Sequence, residues 1–217
     1  MTRNLMHYIR LWREPWRRIP LQAIKQWHAD RGEARRSDTG FLTAGDVVLD
    51  FGGFQGEWTA QIRRKHDCSV HIFEPHPSFA AGCRARFSDD RKVFIHAHAL
   101  GTSFGPLPLS DAGDASSALT QTAGGTEGRV VKAADFLKDI SPPVALAKIN
   151  IEGGEYDLFP ALQYADWIRH IGVLQIQFHL YSEADIARRA TIRATLSKTH
   201  ICDWEYPFVW EQWSLRR

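Results

Sequence analysis

The segment VVLDFGGFQG at residues 47–56 combines the pattern of a buried strand with a glycine-rich turn. Its apolar run contains one acid, Asp50, and Gly52, Gly53 and Gly56 follow. Glycine permits positive φ angles and lets a ligand approach the backbone closely. In an open parallel sheet, turns of this kind lie at the carboxyl ends of strands, where ligands bind. The spacing therefore favours a ligand-binding turn, although tight packing of a strand against a helix also selects glycine.

The charges around this turn bear on the cofactor that it would hold. Glu74 ends the second predicted strand, about 20 residues after the turn, where an acid can accept hydrogen bonds from both hydroxyls of a ribose. Asp50 would repel a pyrophosphate but attract the ammonium group of a methionine moiety. The negative charge of Glu57, at the start of the next helix, gives the same preference. The turn also lacks the GxGxxG spacing of dinucleotide sites. These features favour S-adenosylmethionine over NAD.

A second group of polar residues, AKINIEGGE at residues 147–155, follows at the end of the fourth predicted strand. Because the carboxyl ends of parallel strands share one rim, this group should face the same ligand site. The positive charge of Lys148 could lower the pKa of a hydroxyl, or the lysine could pair with Glu152 or Glu155. Glu155 also fits the first turn of a helix, where the macrodipole favours an acid.

Methyl transfer to a hydroxyl requires a group that removes the hydroxyl proton. His179 lies just beyond the fifth predicted strand, at the same rim, and is the best-placed candidate base. Alternatively, His179 forms hydrogen bonds with the backbone and only shapes the pocket.

Five segments, DFGGFQG, FEPHP, HALG, AKINIEGGE and QIQFH, together resemble the FkbM family of S-adenosylmethionine-dependent methyltransferases. The resemblance runs from about Asp46 to His179. It implies a seven-stranded methyltransferase sheet that serves O-methylation of a hydroxyl on a sugar, a polyketide or a lipid-like molecule. It also implies cofactor contacts at Asp50, Gly52, Gly53, Gly56, Glu74, Ala99 and Leu100, and rim residues near the transferred methyl at Lys148, Asn150, Glu152 and Glu155.

Two amides stand where members of the family have acids. Asn150 replaces the usual Asp, and Gln177 replaces the common Glu. Amides are poor bases and weak ligands for hard cations, so no metal site is predicted. They can still orient a hydroxyl, which leaves His179, Lys148 and Asn150 as catalytic candidates, with Asn150 also a candidate cofactor contact. The alternatives are a homologue that binds the cofactor without turnover and, less favoured, an NAD-dependent oxidoreductase.

Short apolar strands alternate with helical segments from residue 46 onward. This alternation predicts an α/β, doubly wound, mostly parallel sheet of the Rossmann-like type, and the resemblance makes it a class I methyltransferase sheet. An antiparallel edge hairpin is predicted between His200 and Leu215. Residues 101–129 lack strong periodicity and predict a long loop, in which Ser116–Ser117 and Gly124–Gly125 would belong to a flap. Strands are predicted at Val47–Phe51, Ser69–Phe73, Lys92–His96, Val144–Ile151 and Ile171–Phe178, and helices at Glu57–His66, His76–Phe87, Glu155–Ile168 and Ser182–Lys198.

The beginning of the chain differs from the remainder in charge. Residues 1–36 contain nine Lys or Arg against three acids, and Trp12 and Trp16 recur there at a helical spacing. We predict a basic, tryptophan-containing helical extension at residues 1–40 and a cofactor-binding domain at residues 41–217. The extension could contact an anionic membrane or a partner, or its aromatic side chains could cover the main domain.

Bulk properties exclude several classes of protein. A formal net charge of +2 gives no strong electrostatic case for nucleic acid, so a small-molecule acceptor is the predicted partner. The three cysteines lie far apart and form neither a zinc-binding nor a disulfide pattern. No apolar stretch approaches the roughly 20 residues that span a bilayer, and the cytoplasm is the predicted location.

Overall fold

The structure is a computed structural model that describes residues 11–109, 126–140 and 143–217. Its strands are β1 (Val47–Phe51), β2 (Ser69–Phe73), β3 (Val93–His96), β4 (Ala99–Gly101), β5 (Gly105–Pro108), β6 (Glu127–Lys132), β7 (Val144–Ile149), β8 (Ile171–Ile176), β9 (His200–Tyr206) and β10 (Trp210–Leu215). Helices are formed by α1 (Arg18–Ala29), α2 (Gly32–Arg36), α3 (Glu57–Lys65), α4 (Pro77–Arg86), α5 (Ala133–Phe136), α6 (Glu155–Tyr164) and α7 (Ala184–Leu196).

Seven strands form one twisted sheet in the order β3-β2-β1-β7-β8-β10-β9. The pairs from β3 to β8 are parallel, whereas β10 runs antiparallel to both β8 and β9. The strand order reverses between β1 and β7, and this reversal creates the crevice where open α/β sheets bind ligands. The predicted doubly wound sheet with an antiparallel edge hairpin is therefore confirmed.

Both faces of the sheet are covered by helices. Successive side chains of a strand point to opposite faces. Leu49 and Phe51 of β1 accordingly pack with residues of α6 and α7, whereas Val48 packs with residues of α3 and α4. Burial on both faces explains why the central strands are continuous apolar runs, in which a polar residue such as Asp50 is conspicuous.

The expectation of a long loop at residues 101–129 was wrong over part of its length. A small second sheet lies there, in the order β4-β6-β5, with β4 parallel and β5 antiparallel to β6. These strands are short, and β5 is an edge strand that carries Pro106 and Pro108, so the sequence has little strand periodicity. The predicted flap residues Ser116–Ser117 and Gly124–Gly125 lie outside the described residues.

The described part of the N-terminal extension covers the edge of the main sheet. Trp27 of α1 is buried, and its ring centroid lies 5.2 Å from that of Tyr206 and 6.0 Å from that of Trp204. By contrast, the side chain of Trp12 is 77% exposed. A membrane or partner contact of residues 1–36, and the division of the chain at residue 40, stay predictions. Among the described helices, none has the length and apolar character needed to cross a bilayer.

Candidate functional site

A cavity of about 290 Å³ lies at the crevice between β1 and β7. The carboxyl ends of β1, β2 and β7 form one side of it, and the small sheet β4-β6-β5 forms the other. Its wall is mainly apolar. The lining residues are Phe51, Gly52, Phe54, Phe73, Glu74, Pro75, His76, Phe79, Ala99, Leu100, Gly101, Leu107, Leu109, Val130, Asn150, Ile151, Glu152, Gly154, Asp157 and Leu158.

Glu74 is held in the cavity wall by two backbone hydrogen bonds. The N–H of Phe54 donates to Oε2 at 2.8 Å, and the N–H of His76 donates to Oε1 at 2.9 Å. Burial raises the pKa of Glu74, and these two donors partly oppose that shift. Each carboxylate oxygen has a second lone pair, so Glu74 can still accept hydrogen bonds from the hydroxyls of a ribose.

Packing by itself requires glycine residues in the turn, whether or not a ligand binds there. Gly52 has a φ of +83°, and a Cβ there would lie 1.9 Å from the carbonyl oxygen of Asn150. A Cβ on Gly53 would lie 2.2 Å from Cγ2 of Ile72. Gly52 lines the cavity, whereas Gly53 and Gly56 do not. Direct cofactor contacts of Gly53 and Gly56 therefore stay predictions, and the structural reason for glycine applies to both Gly52 and Gly53.

Asp50 and Lys148 lie behind the turn and form a buried ion pair. Lys148 Nζ donates to Oδ1 of Asp50 at 3.0 Å and to the carbonyl oxygen of Gly52 at 2.7 Å. The hydroxyl of Thr59 donates to Oδ2 of Asp50 at 2.7 Å. The expected rim position of Lys148 is thus corrected, since neither Lys148 nor Asp50 lines the cavity.

The partner of Lys148 also differs from the expectation. The register of β1 and β7 sets Lys148 opposite Asp50, so the lysine pairs with that acid rather than with Glu152 or Glu155. The negative charge of Asp50 is therefore offset before any ligand binds. Glu57, expected to support the same charge, instead pairs with Arg86 at 2.9 Å on the surface.

Asn150 follows β7 and lines the cavity. Its Oδ1 atom is buried and has no hydrogen-bond partner among the described residues. An unsatisfied buried polar atom is costly, so a ligand that donates a hydrogen bond would be favoured here. The carboxylate of Glu74, the apolar wall and the amide of Asn150 together fit an adenosyl group with a polar substituent.

His179 lies at the predicted rim, between two carboxylates. Its Nε2 is 3.3 Å from Oε1 of Glu152, and its Nδ1 is 3.2 Å from Oε1 of Glu155. Burial alone would lower the pKa of His179, but the hydrogen bonds to Glu152 and Glu155 outweigh it and raise that pKa to about 9. The imidazole is therefore protonated at neutral pH and does not line the cavity, which argues against the expected role as the first base.

Of the two glutamates that contact His179, Glu152 lines the cavity and Glu155 does not. Burial would raise the pKa of Glu152, but the hydrogen bond from His179 contributes to a net lowering of that pKa. The hydroxyl of Tyr181 donates to Oε2 of Glu152 at 2.9 Å. Sequence reasoning did not single out Tyr181, although its spacing of two residues from His179 would have indicated a shared direction in an extended segment.

The cavity wall contains both predicted and unpredicted residues. Ala99 and Leu100 lie in the wall, as the resemblance implied, and their contact with adenine stays a prediction. Phe79, which was not predicted, packs against Phe54 with ring centroids 4.6 Å apart. The small sheet adds Leu107 and Val130, and Leu109 follows directly after β5. No local pattern indicated these contacts, because they depend on how the small sheet packs over the main one.

One group of metal-ligand side chains occurs among the described residues. Cys202, Glu205 and Glu211 come together on the terminal hairpin. Arg189 and Arg193 pair with both glutamates, so their charges are already compensated. We therefore assign this group to an ion-pair network that stabilises the hairpin.

Solved structures of similar fold include methyltransferases. A putative rRNA-methylase from Clostridium thermocellum has a TM-score of 0.55 at 12% identity, over 86% of this chain and 95% of that protein. An rRNA methylase from Streptococcus thermophilus has a TM-score of 0.49 at 10% identity, over 81% and 90%. A putative methyltransferase from Streptococcus mutans, solved with SAH, has a TM-score of 0.48 at 8% identity, over 81% and 91%. At 12% identity, the similarity to the Clostridium thermocellum protein shows the fold alone.

Sequence comparison identifies the family. No curated protein sequence matches this chain significantly. The family model described as "Methyltransferase FkbM domain" matches residues 46–204, which is most of the chain and includes the turn, Glu74, Asn150 and His179. This match confirms the predicted family and, with it, the predicted cofactor. The chain belongs to the FkbM family of S-adenosylmethionine-dependent methyltransferases.

Proposed function

We propose that this methyltransferase acts on a hydroxyl of a small molecule, such as a sugar, a polyketide or a lipid-like compound. The observation that carries this proposal is the position of Glu152. Glu152 lines the cavity together with Asn150, and its carboxylate accepts hydrogen bonds from His179 and Tyr181. A carboxylate and an amide oxygen can both accept the hydrogen bond that an acceptor hydroxyl donates.

The residues of the chain divide between holding the cofactor and orienting the acceptor. Glu74, Gly52, Ala99 and Leu100 would hold S-adenosylmethionine, which supplies an electrophilic methyl group when bound. Lys148 and Asp50 would act indirectly, by fixing the conformation of the glycine turn.

Proton removal is assigned to Glu152 rather than to His179. His179 is protonated at neutral pH, and its hydrogen bond contributes to the lowered pKa of Glu152, so the Glu152 side chain is a carboxylate that can accept one proton. The acceptor hydroxyl would donate its proton to the Glu152 carboxylate, which then returns it to solvent. His179 would position that carboxylate and stabilise its ionised form. The acceptor needs no metal-bound or imidazole base in this scheme.

Two alternatives to this proposal remain to be tested. The amides at Asn150 and Gln177 are the reason to consider that the protein binds the cofactor without turnover. The predicted exclusion of nucleic acid is not supported by the comparisons, since one protein of similar fold is named as a putative rRNA-methylase. RNA therefore belongs among the acceptors that are tested.

The test is transfer of labelled methyl from S-adenosylmethionine to a panel of sugars, macrolactones, long-chain alcohols and total RNA. Transfer to a hydroxyl compound supports the proposal. Glu152→Gln should then lower kcat by about 10²–10⁴-fold, the usual contribution of general base catalysis, with cofactor affinity unchanged. Asp89→Asn, at an exposed acid outside the cavity wall, is the matched control. Transfer only to RNA, or cofactor binding without transfer to any acceptor, would contradict the proposal.

A further inference from the structure

We propose that the cavity selects against phosphate-bearing ligands, so that the acceptor is neutral or cationic near its reacting hydroxyl. This inference rests on the proposed function and narrows its substrate class. It depends on the sign of the charges around the cavity and on the partners that those charges already have.

The charged side chains of the cavity wall are predominantly acidic. Among the described lining residues, Glu74, Glu152 and Asp157 are acids, and none is a lysine or an arginine. A phosphate in this cavity would therefore find no arginine or lysine among those lining residues.

Cations next to the acceptor end are already paired with acids. Lys148 binds Asp50 behind the turn, and Arg188 pairs with the lining residue Asp157 and with Asp185. His179 lies between Glu152 and Glu155. Pairing of this kind leaves little positive charge with which these groups could attract an additional anion.

The positive end of the nearby helix dipole also has acids beside it. Helix α6 begins at Glu155, and a free helix N-terminus would be an anion-binding site. Here the N–H of Gly153 donates to Oε2 of Glu155 at 2.9 Å, and Asp157 lies in the same first turn. The two acids of this first turn therefore already offset the positive end of the helix dipole, which disfavours a further anion there.

Two adenosine derivatives test this selection without knowledge of the acceptor. 5′-Methylthioadenosine is uncharged, whereas adenosine 5′-monophosphate is a dianion, and both carry the ribose that Glu74 would bind. Calorimetry at low salt should give the uncharged compound at least a roughly tenfold tighter Kd. The ratio should shrink at about 0.5 M salt, because salt screens charges near the surface.

A charge reversal separates electrostatics from the other differences between the two compounds. The Asp157 side chain is 86% exposed, and its ion pair with Arg188, at 3.7 Å, is a surface pair, so Asp157→Lys should fold normally. It should reduce the affinity ratio about threefold or more, whereas Asp89→Lys, with the same charge change outside the wall, should not.

The outcomes are distinguishable. Equal affinities for the two compounds, or a ratio that responds to neither salt nor Asp157→Lys, would overturn the inference and leave the proposed function standing. If neither compound binds and S-adenosylmethionine does not bind either, the proposed function and the inference both fail.

Discussion

Lys148 Nζ lies 3.0 Å from Oδ1 of Asp50, and this ion pair is buried between the glycine turn and helix α3. The two residues belong to adjacent strands and are opposite each other in the register. Lys148, which was expected to act on the substrate, therefore holds the glycine turn instead. Its replacement should first change the free energy of unfolding.

Lys148→Met should lower the free energy of unfolding by about 3–5 kcal/mol, because it leaves the charge of Asp50 buried without its partner. Urea denaturation measures this change. The control is Lys92→Met, which removes an exposed pair with Asp67 and should cost less than about 1 kcal/mol. Equal stability of the two variants would contradict the assignment, and the double variant Asp50→Leu/Lys148→Met should recover part of the loss.

Glu74→Gln should weaken S-adenosylmethionine binding by at least about tenfold, or 1.4 kcal/mol. Glutamine retains only one acceptor oxygen for the N–H groups of Phe54 and His76, and it has no charge. Calorimetry gives the Kd, and circular dichroism checks the fold. Glu57→Gln, at an acid that pairs with Arg86 instead, should bind like the wild type. A wild-type Kd for Glu74→Gln would remove Glu74 from the site.

The stability of the protein should fall as pH rises through the pKa of His179. That pKa is raised to about 9 in the folded protein from the ordinary value of 6.5, so the stabilisation is complete below about pH 6.5 and is lost as pH passes about 9. Between about pH 6 and pH 9.5, the wild type should lose about 2–3 kcal/mol more than His179→Asn.

Urea denaturation at the two pH values compares these proteins. His28→Asn, at an exposed histidine, is the control and should behave like the wild type. An equal pH dependence in His179→Asn and the wild type would show that the two glutamates do not hold a proton on the imidazole.

The double variant Asn150→Asp/Gln177→Glu should not exceed the wild type in methyl transfer. Both residues follow strands at the rim, and Asn150 in particular shares the cavity wall with Glu152. A new carboxylate there would be repelled by Glu152 and would lose the hydrogen-bond donor of the amide. Turnover with labelled S-adenosylmethionine is the measurement. Activity that appears only in the double variant would identify the natural chain as a homologue that binds without turnover.

Trp27→Ala should lower the free energy of unfolding by about 3–5 kcal/mol, because the side chain is buried against the edge strand β9. Trp12→Ala should change it by less than about 0.5 kcal/mol, since that side chain is largely exposed. Thermal and urea unfolding compare the two variants. Similar small effects would mean that the extension does not stabilise the main sheet.

Most of the main sheet followed from local patterns in the sequence. The predicted bounds of β1 and β2 agree with the structure, because strands buried on both faces must be short apolar runs. The small sheet was missed because its strands are short and β5 carries prolines, which leaves little periodicity to recognise. Glu74 and Asn150 were also located at the cavity, since both come directly after strands whose carboxyl ends form the rim.

The sequence by itself determined the order of strands and helices, the glycine turn and the acid that ends β2, because each of these is a property of neighbouring residues. Only the tertiary structure decided how the charges pair. Lys148 binds an acid 98 positions away rather than the glutamates beside it, and His179 lies between two glutamates that keep it protonated. Protonation and charge compensation depend on distance and burial, and those are set by the packing of segments that are far apart in the chain.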